Sequence, residues 1–174
     1  MIRILGLDPG FAETGWGIIE AEGNRFRHIA HGSIRTAAGE PSGVRLSIIY
    51  EGVRELAERF APESCGIEEL FFAKNISSAL PVAQARGVLL LVLHQFSIQT
   101  GSYSPPVIKQ TITGAGKADK ARVQEMVRLM LGLSQIPKPD HAADALAAAI
   151  THANFRLAGH RGILPPGAPG KEKM

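Results

Sequence analysis

The sequence predicts an α/β fold, a five-stranded mixed sheet flanked by helices. Three strand-like segments come first in the chain, with the turn pair Gly23-Asn24 between the second and the third. Strand-like and helical segments then alternate, and the segments between Pro105-Pro106 and about Leu157 have a helical pattern.

Ile2 to Leu7 is an apolar run stopped by Asp8-Pro9-Gly10, which reads as a buried strand. Thr14 to Ala21 and Arg25 to Thr36 follow as strands joined by a hairpin turn, so the first three strands are expected in order and antiparallel. Between Gly43 and Phe60, apolar residues at Val44, Ile48, Val53, Leu56 and Phe60 have helical spacing, and Pro62 stands just past the end. Ser64 to Leu70 is a short strand carrying Glu68 and Glu69. Ser77 to Phe96 reads as a long apolar helix with Pro81 in its first turn, and Ser97 to Tyr103 as the last strand. A short helix is expected over Val107 to Ile112, then a Gly114-Ala115-Gly116 link and an amphipathic basic helix from Ala118 to Leu131. After Pro137-Lys138-Pro139, an alanine-rich helix runs from Asp140 to about Leu157. Residues 1–158 form one domain, and the Gly-, Pro- and Lys-rich residues 159–174 read as a disordered tail.

An apolar fraction of 45% and a charged fraction of 20% describe a soluble globular protein. The net charge of +3 leans toward a polyanionic partner but also suits many proteins that bind none. The single Cys65, in the run Cys65-Gly66-Ile67, excludes an intramolecular disulfide and reads as a buried, inert thiol. The apolar start is too short for a signal peptide and the run Val88 to Leu93 too short to cross a bilayer. A cytoplasmic protein without membrane contact is the expectation.

Acidic residues stand where a core has little use for them. Asp8 ends one apolar strand, Glu68 interrupts another, and Asp144 lies among Ala142, Ala143, Ala145 and Leu146 on the alanine-rich helix. Carboxylates near a core are costly unless paired, and several converging would repel one another until a cation neutralised them. Such a cluster suits Mg²⁺, and two ions about 4 Å apart support phosphodiester hydrolysis without a protein nucleophile. His141, three residues before Asp144, and Asp140, four before it, share its helix face, so either could join the site. Singly, each residue has a plainer use: Asp8 can cap a turn, Asp140 a helix, and a strand carboxylate is usually solvated.

Longer segments carry a family resemblance. They are Leu5-Gly6-Leu7-Asp8-Pro9-Gly10 with Thr14-Gly15-Trp16-Gly17, Gly66-Ile67-Glu68-Glu69-Leu70-Phe71, Ala73-Lys74-Asn75 with Ser78-Ala79-Leu80, and Gln84-Ala85-Arg86-Gly87-Val88. Val107-Ile108-Lys109-Gln110-Thr111, Gly114-Ala115-Gly116 and Asp144-Ala145-Leu146-Ala147 leading to Ile150-Thr151-His152 complete the set. In this order and spacing the chain resembles the RuvC family of Holliday junction resolvases. The resemblance implies a ribonuclease H-like fold and a Mg²⁺-dependent endodeoxyribonuclease, with Mn²⁺ as a substitute and two ions per site. It implies paired symmetric nicks in four-way junction DNA during recombination and repair. It also implies a homodimer built on the Ser77–Phe96 helix and a RuvA–RuvB branch-migration partner.

By matching positions, Asp8, Glu68, His141 and Asp144 correspond to the family's catalytic, metal-binding set. His141 is the departure, because many members have an aspartate there, and Asp140 lies one residue off the alignment. Phe71 corresponds to an aromatic that stacks on a base near the crossover, though core packing is the plainer use for one of Phe71 and Phe72. Lys109 and Lys120 match basic positions linked to DNA backbone contact and catalysis, and Lys117 and Arg122 stand close by, where a solvated helix face is the plainer use. Two other classes compete. Gly6 to Gly17 is also similar to the first phosphate loop of actin-like sugar kinases and chaperone ATPases, but no second Asp-Gly loop or second domain follows. A junction-binding protein without catalysis would keep the basic face and need none of the carboxylates.

Overall fold

The computed structural model describes residues 1–70 and 76–160. Strands β1 (Ile2–Asp8), β2 (Glu13–Glu22) and β3 (Arg25–Arg35) come first, then α1 (Ser42–Phe60), β4 (Ser64–Glu68), α2 (Ile76–Gln95) and β5 (Gln99–Tyr103). Helices α3 (Pro105–Thr113), α4 (Lys120–Met130) and α5 (Asp140–His160) complete the described chain. The sheet order is β3-β2-β1-β4-β5. β1–β2 and β2–β3 are antiparallel, whereas β1–β4 and β4–β5 are parallel, so the mixed five-stranded sheet expected from the sequence is what forms. Gly23, at φ 56°, supplies the left-handed residue of the β2–β3 hairpin.

Each sheet face has its own core. On one, Leu5, Leu7, Ile18 and Ile67 pack against Ile49 and Val53 of α1 and Leu89, Val92 and Leu93 of α2. On the other, Ile4, Ile19 and Ala21 meet Leu146, Ala147, Ala149 and Ile150 of α5, with α3 and α4 closing the flank. Alanines on α5 face glycines on the sheet. A Cβ added to Gly6 would overlap the Ala145 carbonyl, one on Gly15 the His141 carbonyl, and one on Gly66 the Ala148 carbonyl. α5 therefore lies almost backbone to backbone on β1, β2 and β4, which larger side chains would forbid.

Several element boundaries differ from the sequence expectation. α4 starts at Lys120, not Ala118, because Asp119 caps it: Arg122 N–H donates to Asp119 Oδ1 at 2.7 Å. α2 starts at Ile76, so Pro81 is inside the helix and not in its first turn. β5 starts at Gln99, since Ser97 turns the chain at φ 55°. α5 continues through His160, past the expected domain end at 158, and the remaining tail lies outside the described residues. Cys65 is fully buried, and burial pushes its thiol well up, as an inert core residue requires.

Candidate metal centre

Asp8 is the last residue of β1 and Glu68 the last of its parallel neighbour β4. Leu7 pairs with Ile67, so both carboxylates leave adjacent strands at the same sheet edge. The start of α5 arrives there, and helical spacing puts His141 and Asp144 on one face. Gly15, beside Asp8 in the β1–β2 pairing, leaves the space that the His141 backbone fills. The Thr14 hydroxyl donates to the Gly10 carbonyl at 2.7 Å and fixes the turn after Asp8.

Asp8, His141 and Asp144 each offer a donor atom within 4.8 Å of the other two. His141 Nδ1 donates to Asp8 Oδ2 at 2.6 Å, and this bond, working against burial, holds the imidazole above its usual pKa. Lys120 Nζ donates to Asp144 Oδ2 at 2.9 Å. Burial nonetheless holds the Asp144 carboxyl above its ordinary value, against the pull of that lysine. Burial opposes the charge of Lys120, but Asp144, Asp140 and Asp8 together raise its pKa.

Glu68 stands outside the tight trio, across a cavity of about 190 Å³ that it shares with Asp144, Lys109 and Lys120 over Ile108, Val123 and Ala147. Its carboxyl is pushed up to about 8, by burial first and then by the charges of Asp8 and Asp144. Without a cation, the cleft therefore cannot keep all its carboxylates ionised at neutral pH. A set of hard carboxylate oxygens with one imidazole, short of positive charge, fits Mg²⁺ or Mn²⁺.

The geometry separates the two candidates next to Asp144. His141 reaches Asp8, whereas Asp140 points away: its Oδ1 accepts from Lys138 Nζ at 2.8 Å and its Oδ2 lies 3.8 Å from Lys120 Nζ. Lys109 and Lys120 line the cavity. Lys117 and Arg122 are exposed on either side of the Asp119 cap and are not among the residues that line the cavity. Phe71 and Phe72 lie outside the described residues. The glycines that look like a phosphate loop in sequence have a different task, since Gly6, Gly15 and Gly17 all face α5.

Two features escaped the sequence reading. Glu13, at the start of β2, adds a negative charge that helps raise His141, yet no motif marks it. The Lys120–Asp144 ion pair joins residues 24 positions apart on two helices, so no local spacing announces it.

A family model described as Crossover junction endodeoxyribonuclease RuvC matches residues 4–152. Crossover junction endodeoxyribonuclease RuvC of Treponema denticola is 52% identical over 152 residues, covering 87% of this chain and 85% of that protein. The Chloroflexus aggregans protein of the same description is 51% identical over 152 residues, covering 87% and 93%. Among solved structures, T. thermophilus RuvC in complex with Holliday junction substrate matches with a TM-score of 0.88 and 35% identity, covering 91% of this chain and 97% of that one. The yeast mitochondrial Holliday junction resolvase Ydc2, at 14% identity and a TM-score of 0.65 over 92% of this chain and 82% of its own, shares the fold.

Proposed function

This chain belongs to the RuvC family of crossover junction endodeoxyribonucleases and is a Holliday junction resolvase with a ribonuclease H-like fold; we propose that Asp8, Glu68, His141 and Asp144 form its hydrolytic centre. The observation that carries the reading is the meeting of Asp8, His141 and Asp144 within 4.8 Å, beside a Glu68 carboxyl pushed up to about 8. Two Mg²⁺ ions, or Mn²⁺ in their place, would supply the positive charge that phosphodiester hydrolysis needs at the attacked phosphorus and the leaving oxygen.

The chain's own groups have distinct tasks in this reading. Asp8, Glu68 and Asp144 would hold the cations, whose charge would keep these carboxylates ionised. Asp8 fixes the His141 ring through Nδ1, leaving its other nitrogen to serve as a ligand or proton carrier. Lys109 and Lys120, at the cavity, steady the scissile phosphate, and Lys117 contacts a flanking one. Phe71 stacks on a base at the crossover, where such stacking contributes about 1–3 kcal/mol whichever base is present.

Two symmetric cuts call for two centres, and a two-fold homodimer supplies them. α2 supports this: Ala85, Leu89, Val92 and Leu93 face the sheet, while Leu80 and Leu91 are exposed on its outer side. Gly87 is on that side too, with open space around its Cα, so a second helix can approach closely. The RuvA–RuvB branch-migration complex is the partner this role requires. Among the described residues no helix is long and apolar enough to cross a membrane, and we place the enzyme in the cytoplasm with its DNA.

Cleavage of a synthetic mobile four-way junction tests the function, with linear duplex beside it and Mg²⁺, Mn²⁺ or a chelator in parallel. Paired nicks in the junction alone, abolished by chelator, are expected. Junction binding with no nicks in either metal would leave a binding protein without catalysis.

A further inference from the structure

Lys120 has two acidic neighbours on one turn of α5. Its Nζ bonds Asp144 Oδ2 at 2.9 Å and stands 3.8 Å from Asp140 Oδ2. Asp140 does not reach Asp8, and its other oxygen is held by Lys138 Nζ at 2.8 Å. Lys138 thus fixes the Asp140 carboxylate with Oδ2 turned toward Lys120. The Gln124 amide, one turn along α4 from Lys120, also lies beside Asp140.

A divalent cation on Asp144 changes the balance. It would share with the Lys120 ammonium a carboxylate that has lost part of its charge to the metal, and the two cations repel. Lys120 must then loosen from Asp144. Asp140 Oδ2 lies only about 1 Å beyond normal hydrogen-bond distance, so a small swing of the side chain completes the new pair. The swing also leads toward water, because the Asp144 side chain is 23% exposed and that of Asp140 49%.

We propose that Asp140 is a positioning residue that takes Lys120 over from Asp144 when a divalent cation enters, freeing Asp144 as a ligand while keeping the lysine at the cleft. This rests on the reading of Asp144 as a metal ligand. It assigns Asp140 a role that is neither ligand nor simple helix cap. Lys138 acts one step further out, as the group that holds Asp140 in place.

A double-mutant cycle on Mn²⁺ affinity, measured on DNA-free protein by the electron paramagnetic resonance of unbound Mn²⁺, tests the hand-over. Lys120 and Asp140 are exposed, so Asp140→Asn, Lys120→Met and their combination should keep the fold. Asp140→Asn is expected to weaken Mn²⁺ binding about fivefold while Lys120 is present, and by less than about twofold in the Lys120→Met background. Asp140→Glu should restore binding, since it keeps the carboxylate. Equal losses in both backgrounds would make Asp140 a ligand or a diffuse charge and overturn the proposal, as would no loss in either. Junction nicking by the unaltered protein is scored separately. Coupling without nicking would sink the nuclease reading alone, and nicking without coupling would sink the hand-over alone.

Discussion

On one face of the sheet, α5 rests on Gly6, Gly15 and Gly66 with its own backbone in contact, whereas on the other α1 and α2 stand off on Leu5, Leu7, Ile18, Leu89 and Leu93. The second kind of packing can adjust, because large aliphatic side chains change rotamer and neighbours follow. The first cannot, since a carbonyl against a Cα has nowhere to go. The face without slack is the one that carries His141 and Asp144 to Asp8 and Glu68. Placement of the proposed metal-binding groups is thus set by backbone contact, while the opposite face packs through side chains.

The comparison breaks first at Gly6. Gly6→Ala would push a methyl group into the Ala145 carbonyl, one residue after Asp144, and must shift α5. Nicking per folded molecule is expected to fall about 100-fold or more, since a displacement of about 1 Å at a reacting group has that effect. Leu89→Ala on the opposite face is the contrast: a stability loss of about 2–5 kcal/mol in denaturant melts, with nicking per folded molecule nearly unchanged at temperatures where it stays folded. If the two substitutions gave the same profile, the division of labour would be wrong.

A smaller effect separates the faces by pH. Glu68 has an ordinary pKa of 4.5 and a folded value of about 8, so between these values the folded protein keeps a proton that the unfolded chain has lost. Its contribution to stability is complete below pH 4.5, is lost as pH rises through about 8, and is flat above. The raised His141 and Asp144 add losses of the same sign, each above its own ordinary value. Thermal melts in chelator should therefore show Tm falling between pH 5 and 8. Glu68→Gln should flatten that slope and melt higher than the natural protein at pH 8, while abolishing nicking. A slope unchanged by the substitution would refute the assignment. The smallest effect is expected from His141→Asp, which exchanges the imidazole for a carboxylate: nicking within about tenfold of the natural rate, with a pH–rate profile that no longer carries the imidazole.

The same two faces explain what the sequence made legible. The stand-off face and the strand order announce themselves through Ile2–Leu7, the Gly23-Asn24 turn and the spaced apolar residues of α1. Asp8 and Glu68 could be picked out because a carboxylate at the end of an apolar strand is anomalous, and Asp144 because alanines surround it. The glycine face was hidden: a glycine that admits a helix looks in sequence like one that makes a turn, and Gly6 to Gly17 was open to reading as a phosphate loop. The choice between Asp140 and His141 needed three dimensions, since both lie within one turn of Asp144. Lys120 was legible as a position for DNA contact and catalysis, but its ion pair with Asp144 was not, because the two residues are remote in the chain.

Anomalous diffraction from crystals soaked in Mn²⁺ tests the central claim most directly, that the helix on the glycine face completes a cation site at the ends of β1 and β4. Density coordinated by Asp8 and Asp144, with His141 or Glu68 within ligand distance, is the predicted result. Density confined to Asp140 and the surface, with the Asp8 cleft empty at saturating Mn²⁺, would contradict it.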